Sequence, residues 1–251
     1  MKRRAALLSA LLTLTWCAPA WAFGVTSLGS NSGSAGAATT LVITTTADCP
    51  IGSEIVVVAT AKTSVTISSV ADSASAGSYA GLTQGANSTG GRFFHADNSG
   101  ADLPSGGTIT ITYSSSSPAK AAAAACVSGV ATSSPADSVT FASATGTGTT
   151  PASGATTTST YASEIFFGFA TAASGETYTN NASWTPLGAV VQSSAGGFIW
   201  GYQTLSATGS VNYNPTMNNS TTWVAQAQGF KGSGAPPTTT CGALATMGVG
   251  C

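Results

Sequence analysis

The run Ser53-Glu54-Ile55-Val56-Val57-Val58-Ala59-Thr60-Ala61 returns later in the chain as Ser163-Glu164-Ile165-Phe166-Phe167-Gly168-Phe169-Ala170-Thr171-Ala172. Each is a short, nearly continuous apolar run rich in β-branched or aromatic residues, the pattern of a buried strand. Four further matches follow in the same order. Ser78-Tyr79-Ala80-Gly81-Leu82 is answered by Ser183-Trp184-Thr185-Pro186-Leu187, and Gly90-Gly91-Arg92-Phe93-Phe94 by Gly196-Gly197-Phe198-Ile199-Trp200. Leu103 with Gly107-Thr108-Ile109 is answered by Leu205 with Gly209-Ser210-Val211. Ala125-Cys126-Val127-Ser128-Gly129-Val130 is answered by Ala225-Gln226-Ala227-Gln228-Gly229-Phe230. The ordered series points to two related halves, about 25–130 and about 131–231. Neither half can bury its apolar face alone, so their sheets are expected to pack face to face. The expected fold is an all-β sandwich of about ten to fourteen strands, of jelly-roll or Greek-key type. Two immunoglobulin-like domains side by side are the alternative.

The remaining chain supports strands and little else. Residues 64–68 and 108–113 alternate apolar and polar with period two; 41–44, 55–59, 165–170, 198–202 and 223–230 read as further strands. Gly, Asn, Pro and Ser clusters separate them. The alanines of 119–125 read either as a helix-forming tract or as the small residues of a tightly packed strand. The Gly/Thr/Ser-rich stretch 143–160 reads as a linker or a long polar hairpin.

Residues 1–22 have the layout of a cleavable export signal: Met1-Lys2-Arg3-Arg4, an apolar run from Ala5 to Trp16, and Ala20-Trp21-Ala22 before the expected cleavage at Phe23. The apolar run is shorter than the roughly 20 residues that span a bilayer. No transmembrane segment is expected after cleavage. Three of the seven basic residues lie in this segment, which leaves Lys62, Arg92, Lys120 and Lys231 against eight acidic residues. That balance lacks the basic footprint that nucleic acid requires. Only 6% of the chain is charged, well under the quarter or so of ordinary domains, so the outer faces should be polar but neutral. Beyond Lys231, residues 232–251 form a Pro/Thr-rich linker and a tail bounded by Cys241 and Cys251. Four cysteines in an exported chain suggest two disulfides, and proximity in sequence favours Cys49 with Cys126 and Cys241 with Cys251.

The segment Ile51-Gly52-Ser53-Glu54-Ile55-Val56-Val57-Val58, followed by Ser69-Val70-Ala71-Asp72-Ser73-Ala74 and then Tyr79, resembles a group of bacterial exported β-sandwich proteins. These carry G-D-x-I-V-V before one strand and V-x-D-S-A-G-N-x-Y after the next. The resemblance covers roughly residues 25–231. Glu54 stands near the usual Asp, and Ser75-Ala76-Gly77-Ser78 replaces the tight Gly-Asn turn. The resemblance implies a lectin-like or jelly-roll sandwich and an exterior destination, and it brings no catalytic residues.

Several residues invite a chemical reading. His95, the single histidine, could serve as a general base with Asp97 or Asp102 orienting it and a serine as nucleophile; the plainer reading is a strand-end histidine. Asp97-Asn98-Ser99-Gly100-Ala101-Asp102 is oxygen-rich, and Asp97 and Asp102 could bind Ca2+, although the same residues make good turns. Glycoside hydrolysis needs a carboxyl pair, for which Glu54, Glu164, Glu176, Asp72 and Asp137 are candidates; Glu54 and Glu164, as matching strand starts, read as architecture. Trp184, Trp200 and Tyr202 could form a sugar-stacking platform, or could be core. The sequence therefore predicts a non-enzymatic exported structural or interaction module at the cell surface, in the periplasm or in an extracellular assembly, with a protein or glycan partner. A carbohydrate-binding module is the first alternative and a hydrolase the second.

Overall fold

A computed structural model describes residues 23–234, other than 34–37, 63, 87–88, 117–118, 174 and 191–195. Residues 1–22, expected from the sequence to be an export signal, and the 235–251 tail with Cys241 and Cys251 lie outside the described residues. Within them the chain is all-β: β1 (Gly24–Gly33), β2 (Thr40–Thr44), β3 (Glu54–Lys62), β4 (Ile67–Asp72), β5 (Ala80–Gly81), β6 (Gly85–Ala86), β7 (Thr89–Asp97), β8 (Thr108–Tyr113), β9 (Lys120–Ser128), β10 (Ala142–Gly148), β11 (Glu164–Ala172), β12 (Tyr178–Thr179), β13 (Thr185–Val190), β14 (Phe198–Leu205), β15 (Thr216–Met217) and β16 (Thr221–Lys231). Among the described residues no helix is long and apolar enough to cross a membrane.

Every strand pair is antiparallel. One large sheet runs β1-β9-β3-β7-β5, with β6 also on β7, and the other runs β10-β16-β11-β14-β13. The order is the same in both: first strand, last strand, the central apolar strand, then the two that follow it. Three hydrophobic clusters separate the layers. The first lies between the large β1–β9 sheet and a three-stranded sheet, β2-β8-β4, where Ile43, Ile109 and Ile111 meet Ile55, Val57 and Phe94. The second is the seam between the two large sheets, where Val56, Val58, Phe93 and Ala123 meet Phe167, Phe169, Phe198, Trp200 and Phe230. The third covers the far side of the second sheet, where Val211, Tyr213 and Trp184 lie on Phe166, Ala170 and Ile199. The sandwich thus has four layers, with the large sheets back to back.

The seam works because the two sides differ in size. Ala121, Ala123 and Ala125 of β9 face the bulky rings of β11, β14 and β16, so large side chains of one sheet enter spaces left by small ones of the other. This packing overrides the helix preference of alanine and makes 120–128 a strand. Gly91 of β7 belongs to the same fit, since a β-carbon there would run into the Phe169 ring. The period-two reading of 108–113 matches β8, whose residues alternate between half-exposed and buried. The strand expected at 64–68 begins instead at Ile67, because Gln84 Oε1 and the Ser114 hydroxyl take up the amides of Ile67 and Thr66 (2.9 and 3.0 Å) before the ladder starts. Part of the stretch read as linker or hairpin, 142–148, is the edge strand β10.

Residue-for-residue matching of the two apolar runs does not survive in space. Ile55 belongs to the first cluster and Ile165 to the seam; Phe94 belongs to the first cluster and Trp200 to the seam. In the covering layers the matched residues do agree, as with Ile109 and Val211. The central strands are therefore slipped by one residue relative to the sequence echo, and one residue of slip turns every side chain to the other face.

Candidate functional site

His95 lies inside β7, where its backbone pairs with Val56 of β3 while Glu54 pairs with Asp97. Alternation along both strands turns Glu54 and His95 to the seam side, and there His95 Nδ1 donates to Glu54 Oε1 at 2.8 Å. The orienting carboxylate is thus Glu54, in place of the expected Asp97 or Asp102. Its side chain is 1% exposed and that of His95 15%. Burial pushes the Glu54 carboxyl above its usual range; the hydrogen bond and charge of His95 oppose this, and the Asp97 charge adds to it. The His95 ring also meets Phe230 of β16 edge-on, with centroids 5.6 Å apart. The pair therefore joins the first half to the second at one end of the seam.

A carboxylate on Nδ1 fixes the imidazole tautomer and leaves Nε2 as the outward atom, which is half of a nucleophilic triad. The other half needs a hydroxyl on Nε2. Among the described residues no serine hydroxyl bonds to His95.

Glu164 and Asp137, two of the five acids read in sequence as candidates for a carboxyl pair, form a second acid cluster. Glu164 starts β11 and pairs with Lys231 and Leu205. It faces the outer layer, opposite in sense to Glu54. Asp137 reaches the same face from the segment that continues the edge of β16, its amide donating to the Gly229 carbonyl (2.9 Å). Burial pushes the Glu164 carboxyl up to about 7; Ser159 and Lys231 pull against the rise, and the Asp137 carboxyl beside it adds to it. The Ser159 hydroxyl proton goes to the Tyr161 carbonyl at 2.7 Å. Both Glu164 oxygens and Asp137 Oδ2 are buried without a hydrogen-bond donor among the described residues.

The remaining candidates are built into the fold. Asp102 Oδ1 accepts from the Ile51 amide (2.8 Å), and buried Asn98 donates to the carbonyls of Cys49 and Pro50 (2.8 and 2.9 Å). Asp97 is half-buried at the end of β7. The oxygen-rich turn thus fastens the 49–51 loop, and among the described residues no group of three or more His, Cys, Asp or Glu side chains gathers around a cation position. Trp200 is 1% exposed within the seam, and Trp184 is 3% exposed against Tyr213, with ring centroids 4.8 Å apart. Half-buried Tyr202 lies against Phe167, also in the seam. Neither tryptophan presents a ring face to solvent, so the three do not form a stacking platform here.

Two of the basic residues are engaged in the same way. The Arg92 guanidinium donates to the carbonyls of Leu82, Ile67 and Gly81 (2.5, 2.9 and 3.2 Å) and lies over the Phe94 ring. Lys120 donates to the Ala38 carbonyl and lies over Tyr113. Cys49 and Cys126 form a disulfide beside the first cluster. Sequence reasoning missed Arg92 and the cross-half contacts of Gln226, which donates to the Thr83 carbonyl (2.9 Å). The glutamines of Ala225-Gln226-Ala227-Gln228, in the centre of an otherwise apolar strand, were the available signal. Compared with known proteins, the chain matches no family model, no curated protein and no solved structure.

Proposed function

We propose that this chain is an exported, non-enzymatic structural or interaction module that works at the cell exterior, with a protein or glycan partner. One observation carries the reading. Six side chains with chemical capacity, His95, Arg92, Asp72, Asp102, Trp184 and Trp200, are each held by contacts that order the fold. Support for the exterior comes from the Cys49–Cys126 disulfide, which suits an oxidising compartment, and from the basic and apolar start followed by Ala20-Trp21-Ala22. The low charge of the chain suits a neutral partner better than an anionic one.

The test begins with expression of the full chain in a bacterium and sequencing of the exported product, which is expected to start at Phe23 with Cys49 and Cys126 oxidised. A product kept in the cytoplasm with both thiols free would overturn the exterior assignment. The purified form is then assayed on ester, glycoside and peptide substrates beside His95→Ala. Equal, background rates are expected. Turnover that His95→Ala abolishes would establish a hydrolase, and specific retention on a polysaccharide array would establish the carbohydrate-binding alternative.

A further inference from the structure

Glu164 and Asp137 present a chemical contradiction if both are ionised. Glu164 is fully buried, Asp137 nearly so, and three of their four oxygens have no donor among the described residues. The fourth, Asp137 Oδ1, accepts from the Val139 amide at 3.2 Å. Two carboxylates at close quarters in a site of low polarity cannot both keep a charge. The neighbours that could relieve them do so only in part. Lys231, the cross-strand partner of Glu164, puts its ammonium 5.4 Å from the centre of the Tyr161 ring. The Ser159 and Thr140 hydroxyls donate to the carbonyls of Tyr161 and Asp137. Leu205 on β14 and Phe166 on β11 bring only hydrocarbon.

We propose that Glu164 and Asp137 share one proton, and that this proton is a pH-sensitive latch for the strap 153–161 on the outer face of the second half. The strap runs along 209–213, with the amides of Ser153, Thr156 and Ser159 donating to the carbonyls of Tyr213, Val211 and Gly209 (2.9, 2.8 and 2.8 Å). Its end at Ser159 lies beside Glu164. With one proton present, one acid donates to the other and a single negative charge remains, facing Lys231 at the rim. When that proton leaves to solvent, two carboxylates repel beside the strap, and its end loosens. This goes beyond the structural reading above and does not depend on it.

The sign follows from linkage. The folded chain keeps this proton to about pH 7, whereas an unfolded glutamate releases it near its ordinary value of 4.5. Between those limits the folded state binds more protons, so stability is greatest in acid and falls as pH rises. The folding equilibrium constant should fall on the order of a hundredfold across this window.

The experiment is urea denaturation of the oxidised mature chain from pH 4 to 9, with Glu164→Gln and Asp137→Asn beside it. Amide protection of Thr156 and Ser159 and the infrared band of protonated carboxyl groups are followed in the same samples. Wild type should lose stability and strap protection between about pH 5 and 8. Glu164→Gln supplies a neutral donor to Asp137 and should flatten both profiles, with loss of a carboxyl band seen near pH 6. A merely structural role would instead lower stability equally at every pH. A slope unchanged in both variants overturns the latch, as does stabilisation by Ca2+ that depends on Glu164, which would make the occupant a cation. Should neither variant fold, a wild-type infrared titration without a protonated carboxyl near pH 6 overturns it alone.

Discussion

Glu54 and Glu164 open the central strands of the two large sheets with the same Ser-Glu-Ile letters, yet they differ in what receives them. Glu54 turns to the seam and accepts from His95 at 2.8 Å, in a contact that also engages Phe230 of the other half. Glu164 turns outward, finds a second acid, and has no donor among the described residues. A buried carboxyl with a donor ties elements together, while one beside its like is a source of pH sensitivity. The letters at a strand start do not choose between these outcomes. The face does, and a slip of one residue sets the face.

The halves differ in covalent reinforcement too, and this predicts the largest effect. Cys49 and Cys126, 77 residues apart in sequence, cross-link the first half within its own cluster, while Gln226, the match of Cys126 in sequence, turns to the seam and donates to the Thr83 carbonyl. Replacing both cysteines by alanine removes a loop constraint worth about 4 kcal/mol in the chain-entropy account. Because the seam is shared, urea denaturation should still show one transition, at a much lower midpoint. Two separated transitions would mean that the halves unfold independently and that the seam couples them weakly.

The seam itself can be broken from its small-residue side. Gly91→Val would push against the Phe169 ring and is expected to cost about 3 kcal/mol through overpacking. Adding Phe169→Ala should return part of that loss in a double-mutant cycle, because the two changes meet at one point. Strict additivity would show that the sheets do not approach each other there.

Much of this arrangement was legible in the sequence and some was not, for definable reasons. The strand at 108–113 was plain because one side of β8 is buried and the other half-exposed, so its pattern alternates. The runs at 53–61 and 163–172 were plain as strands but silent on facing, since β3 and β11 are buried on both sides and a continuous apolar run has no phase. β1 and β10 escaped notice because their Ser, Thr and Gly residues sit at sheet edges, where composition looks like a linker. The residues Glu164 and Asp137 were visible as acids, but only the pairing of 135–137 against the end of β16 brings them together. Trp184 and Trp200 could be read as platform or core, and burial decides for core.

The two glutamates should also respond differently when a neighbour is removed. His95→Ala takes away the one donor on Glu54 among the described residues and should cost about 2 kcal/mol at neutral pH. The pH sign sharpens the comparison. Burial already raises the Glu54 carboxyl, and His95 holds it down; without His95 it rises further. The folded chain then keeps that proton to higher pH than the unfolded chain, and the variant should be nearest to wild type in acid and fall away as pH rises. Removing Asp137 from Glu164 should have the reverse effect, a flatter profile. Parallel profiles for His95→Ala and wild type would break the distinction between the two acids.

The smallest expected effect concerns the turns that lead into the aromatic of each half. Asp72 Oδ1 accepts from the amides of Ala74 and Ala76 (2.8 and 2.9 Å), which shapes the chain ahead of Tyr79. Asn181 Oδ1 accepts from the amide and hydroxyl of Ser183 (both 3.0 Å), just ahead of Trp184. An aspartate side chain and an asparagine one thus solve the same problem of unpaired turn amides. Asp72→Ala leaves both amides without their acceptor and should lower stability by about 1 kcal/mol, whereas Asp72→Asn keeps an oxygen in place and should lose less than half of that. If the two variants are equally destabilised, the negative charge matters more than the acceptor, and the likeness to Asn181 fails. If they differ as expected, the Asp of the Val-Ala-Asp-Ser-Ala stretch is turn chemistry, set by the amides it accepts from.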